Sequence, residues 1–99
     1  GAQALVTVLS AVQSEVYRVQ AISCNNKGLD PMIISIFAGG VPIVVEAGAQ
    51  PGNLPVETAT GAPLSLPLFV DVNTPLTYQV LSGTATDATL NVLSIKVSQ

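Results

Sequence analysis

Histidine and tryptophan are absent from this chain, and cysteine occurs once, at Cys24. The missing histidine removes the commonest general base and the commonest metal ligand together. Serine and threonine hydroxyls are plentiful, but without a base none is set up as a nucleophile. The six acids (Glu15, Asp30, Glu46, Glu57, Asp71 and Asp87) stand eleven or more residues apart, so no local carboxylate pair or cluster of oxygen ligands forms. Gly39-Gly40 lacks the Lys-Ser/Thr and helix of a phosphate loop. No catalytic, cofactor-binding or metal-binding residue is assigned, and the chain is expected not to be an enzyme.

Charge is also scarce. Only 9% of residues are charged, against roughly 25% in average soluble proteins. Arg18, Lys27 and Lys96 are the whole basic complement, and the net charge is −3. Three scattered cations neither neutralise a run of phosphates nor hold an anionic bilayer, which argues against nucleic-acid and membrane partners. A lone cysteine forms no disulfide within the chain; Cys24 reads as a small buried apolar residue made in a reducing cytoplasm. The opening "GAQALVTVLSAVQSEVYR" lacks a basic n-region, so no signal peptide is expected. The longest uncharged stretches fall short of the roughly 20 residues of a membrane-spanning helix. Hydrophobic residues nevertheless make up 48% of the chain. So little charge on so apolar a domain predicts exposed apolar patches, covered by further copies or by a larger partner.

What remains is strand and turn. Seven prolines and eight glycines punctuate runs of Val, Ile, Leu and Thr. The pattern predicts strands at 4–12, 15–24, 32–38, 41–46, 64–70, 76–82 and 89–97, separated by Asn-, Gly- and Pro-rich turns. That is one domain, 1–99: an all-β, about seven-stranded antiparallel β-sandwich of jelly-roll or Ig-like type. Gly39-Gly40 predicts a tight hairpin. Pro42 and Pro67 mark edge or bulged segments. Residues 47–63 form the one long irregular loop, and residues 1–6 a possible N-terminal arm.

Two strands break their own alternation. Tyr17, Val19 and Ala21 share a face, but Ile22 and Cys24 lie opposite. Leu90 and Val92 point one way, and Leu93, Ile95 and Val97 the other. Either a β-bulge shifts the parity or both faces are covered.

The order of features resembles a known family. "VYRVQAISCNNKG" is followed by "IISIFAGGVPIVV", then a Pro/Gly-rich loop, "LSLPLFVDVNTPLTYQV", the turn "SGTATDAT" and a last strand "LNVLSIKV". This is similar to small β-sandwich structural proteins of tailed bacteriophages. The likeness runs over residues 7 to 97, carried by Tyr17, Arg18, Val19, Ile22, Asn25, Asn26, Gly39, Gly40 and Asp87. Ser14-Glu15 and the 47–63 loop depart from the pattern. The resemblance implies a virion component made in the host cytoplasm: a capsid decoration (cement) protein, or a head or tail accessory. Its partners would be the major capsid protein or another virion protein. Separately, the low charge and two-faced last strand predict self-association, as a dimer or trimer joined through the 89–97 strand. The alternative is a receptor- or carbohydrate-binding module of a phage fibre or adhesin, which an exposed cluster of Tyr17 and Tyr78, or of residues in 47–63, would favour. For particle contact the sequence offers apolar groups of the arm and the loop: Ala2, Ala4, Leu5 and Val6, the last three overlapping the first predicted strand, and Leu54, Pro55 and Val56.

Overall fold

The computed structural model describes residues 5–55 and 66–97. Among them eight strands run in order: β1 (Val6–Leu9), β2 (Tyr17–Asn26), β3 (Met32–Ala38), β4 (Val41–Ala49), β5 (Gly52–Pro55), β6 (Leu68–Val70), β7 (Leu76–Ser82) and β8 (Ala88–Lys96). One 3-10 turn, Ala85–Asp87, precedes β8, and no α-helix occurs among the described residues. All pairings are antiparallel and form two sheets. The first has the order β1-β7-β3-β4. In the second, β2 lies in the middle and β8 pairs with its full length from Tyr17 to Asn26. Along the other side of β2, β6 pairs with Tyr17–Val19 and β5 with Ser23–Asn26, end to end.

The inward residues of both sheets make one core. Val19, Ile22, Cys24, Val70, Ala88 and Leu90 come from the second sheet; Met32, Ile34, Ile36, Val44, Leu76, Tyr78 and Val80 come from the first. This is a two-layer antiparallel sandwich, the fold class read from the strand pattern.

The broken alternation has two different causes. On β2 a bulge falls between Val19 and Ala21, opposite Ser94 and Leu93. Gln20 is the extra residue, so Val19 before it and Ile22, Cys24 and Asn26 after it all face the core. β8 carries no extra residue. It keeps its period, with Ala88 and Leu90 buried and Val92 packed on the core, and its other face turns Leu93, Ile95 and Val97 outward.

Several boundaries differ from expectation. The stretch predicted as a long loop begins as strand: β4 continues to Ala49, and β5 forms at Gly52–Pro55 after a two-residue break. β5 is the strand the pattern missed, because four residues containing Gly and Pro show no alternation. Residues 56–63 of that loop lie outside the described residues. The first strand is only Val6–Leu9, and β6 only Leu68–Val70. β3 and β7 occupy their predicted spans. The Gly39-Gly40 hairpin joins Ala38 to Val41, with φ of 60° and 81° at the two glycines, the positive pair that a type I′ turn needs.

Candidate interaction face

The outer side of the second sheet is built by parity. On β2, Arg18 points away from the core because its neighbours Tyr17 and Val19 point in. Arg18 is registered with Ile95 of β8 on one side and Phe69 of β6 on the other. A single row, Ile95–Arg18–Phe69, therefore crosses all three strands. Leu93 continues it beside Ala21 of the bulge, and Val97 follows β8. Phe69 is 54% exposed, Leu93 60%, Ile95 44% and Val97 43%. The far end of the same face is polar, lined by Ser23, Asn25, Thr89 and Asn91 on the same strands. The face is thus apolar at one end and wettable at the other.

Two shallow depressions flank the row. One, of about 270 Å³, is lined by Ala21, Ser23, Asn91 and Leu93 with the edges of Ile22 and Val92, beside the bulge. The other, of about 310 Å³, is lined by Arg18, Gln20, Leu66 and Pro67. Arg18 is half-buried, and its Nε is shielded from solvent without a hydrogen-bond partner.

The reactive groups elsewhere are accounted for. Cys24 is buried, and burial pushes its thiol pKa up, which suppresses the thiolate. Tyr78 is buried and donates from Oη to the Ala88 carbonyl at 3.2 Å; burial raises its pKa. Tyr17 packs partly buried against the core. The tyrosines therefore form no exposed platform. No group of three or more His, Cys, Asp or Glu side chains that could hold a metal occurs among the described residues. No helix among them is long and apolar enough to cross a membrane.

The contact residues expected from sequence fall only partly within the described residues. Ala2, Ala4 and Val56 lie outside the described residues. Leu5 precedes β1 and Val6 opens it, paired with Tyr78, and both are exposed. Leu54 and Pro55 sit in β5, paired with Cys24 and Ser23 rather than in a loop. Sequence reasoning passed over Phe69 and Arg18 as contact residues, although the signal was present: Phe69 alternates against Leu68 and Val70, and Arg18 against Tyr17 and Val19. Comparison of the chain with family models, curated proteins and solved structures found no match.

Proposed function

We propose that this chain is a non-enzymatic structural module of a virion, a capsid decoration protein of the tailed-phage kind, which docks on its shell through the outer face of the second sheet. The observation that carries the docking is the exposed row of Phe69, Ile95, Leu93 and Val97 around Arg18. Apolar residues scattered singly need no explanation, but a contiguous group on one sheet face is the mark of a contact surface. Arg18 supplies one polar anchor, with the shell providing the acceptor. The virion setting rests on the sequence pattern from Tyr17 to Val97. The buried Tyr78 and half-buried Tyr17 offer a carbohydrate-binding reading no exposed tyrosine pair.

The test has two parts. Mass spectrometry of purified particles is expected to find the chain at a stoichiometric copy number. Phe69→Lys, which changes an exposed residue away from the β8 edge, is expected to abolish rebinding to stripped particles while the fold is kept. Absence from particles defeats the virion setting, and undiminished rebinding by the variant defeats the docking face.

A further inference from the structure

Among the described residues no strand pairs with the outer side of β8, and we propose that a second copy of this chain adds its own β8 there, antiparallel, about a two-fold axis. The inference rests on the reading of the chain as an assembly module and names its first partner.

The hydrogen-bonding parity of β8 follows from one contact. The Val97 N–H donates to the Val16 carbonyl at 2.9 Å, which makes Val16 and Val97 a hydrogen-bonded pair. Antiparallel pairs alternate between bonded and non-bonded. Odd-numbered residues of β8 therefore turn their N–H and C=O to β2, and even-numbered residues turn theirs away. The Ala88 carbonyl, on the outward set, is met by Tyr78 Oη. From Leu90 through Val92 and Ser94 to Lys96, no described strand pairs with that side.

The other edges are closed to such addition. β1 has four residues and a register shift between Thr7 and Leu9. β4 contains Pro42, two register shifts and the exposed Glu46. β5 and β6 are short segments that share one side of β2. Brevity, bulges, proline and charge are the devices that keep sheet edges from pairing. β8 has nine residues, no proline, no extra residue and one charge at its end.

A second copy fits this edge for three reasons. A two-fold antiparallel contact pairs both open edges at once, whereas head-to-tail addition always leaves one open. With the two-fold at Ser94, Leu93 stands beside Ile95 of the second copy, and the reciprocal pair forms by symmetry, giving two apolar cross-strand pairs on the outer face. The same register sets Lys96 opposite Val92 of the second copy, so no like charges meet, and Glu15 already holds the ammonium at 3.3 Å. The two apolar faces then become one, spread over a sheet six strands wide.

Amide exchange by NMR reads the edge directly, since odd amides are protected in the monomer and even ones are not. Raising the protein concentration is expected to slow exchange at Val92, Ser94 and Lys96 by roughly tenfold or more, with sedimentation giving twice the chain mass. Ser94→Pro removes an outward N–H and spares the ladder to β2, a placement edge strands tolerate; it is expected to give a folded monomer that still rebinds particles. A chain monomeric at every concentration, or a dimer whose even amides still exchange freely, overturns the pairing and leaves the Phe69 docking face standing. If Ser94→Pro unfolds, the amide pattern of the unaltered chain decides alone. Conversely, loss of rebinding is specific to docking if Phe69→Lys still dimerises.

Discussion

Asn26 does more at the end of β2 than stop a strand. It is 2% exposed, and its Nδ2 donates to the Ala49 and Asp30 carbonyls, each at 2.9 Å, while its Oδ1 accepts the Gly28 N–H at 2.9 Å. The Ala49 contact ties the second sheet to the first, and the other two fold the turn back beneath it. Asn26→Ala leaves these backbone groups unpaired, and a loss of roughly 2–4 kcal/mol is expected in urea unfolding. A loss under about 0.5 kcal/mol would show that the clamp carries no stability. Cys24, two residues earlier, is 3% exposed, and its raised pKa fits an inert thiol. Labelling by a thiol reagent is expected to follow unfolding, and Cys24→Ser to cost about 1–3 kcal/mol; rapid native-state labelling contradicts the burial. Glu15 behaves oppositely. Its Oε1 accepts the Val12 N–H at 3.0 Å, the main cause of its lowered pKa, and Lys96 adds to it. A carboxylate whose folded pKa lies below its unfolded one stabilises the native state at neutral pH. That contribution is lost as pH falls through the folded value. Because Glu15 is exposed to screening, the acid-side fall in melting temperature should be slight, and Glu15→Gln should remove it.

At the scale of elements, alternation was legible where a strand kept its period between clear turns. β3 and β7 were read to the residue, because Gly39-Gly40 and Asn73-Thr74-Pro75 bound them. β5 was not legible: Gly52–Pro55 is a strand by its backbone pairing with β2, which side-chain pattern does not record. The parity breaks in β2 and β8 looked alike in sequence, yet one is a bulge and the other an outward apolar stripe. What separates them is register, a property of two strands together. Local order within turns was clearer. Asp71 Oδ1 accepts the Asn73 N–H at 2.8 Å and the Thr74 hydroxyl at 3.0 Å, the backbone-bonding role expected of a turn aspartate. Glycines divide by what surrounds them. Gly83 has φ +122°, and a Cβ there would come within 2.5 Å of Met32 Cγ in the core. Gly40 has φ +81°, with open space where its Cβ would stand. Gly83→Ala should therefore cost distinctly more than Gly40→Ala, which carries only the backbone strain of about 1–2 kcal/mol. Equal losses in thermal unfolding would refute the clash with Met32.

For the whole molecule, the question raised by the proposed function is how a chain with nine charges among 99 residues would hold a shell. Composition predicted exposed apolar patches but could not say where, because exposure depends on the side of a sheet each residue takes. The proposed docking face is the Phe69–Arg18–Ile95 row. Ionic attachment has little to draw on: Lys96 is engaged by Glu15, and exposed pairs contribute only about 0–1 kcal/mol each. Apolar burial scales differently. Covering about 400 Å² of such a face yields roughly 10 kcal/mol gross at 25 cal/mol per Å², before the cost of association. Salt screens the first term and strengthens or spares the second. Binding to stripped particles is therefore expected to survive molar salt, to weaken modestly for Arg18→Ala, and to be lost for Phe69→Lys. Deletion of residues 1–4, which precede β1 and the row in sequence, is expected to retain most of the binding. Release at moderate salt, or loss with the deletion while Phe69→Lys still binds, would return the attachment to charge or to the arm and remove the sheet face from it.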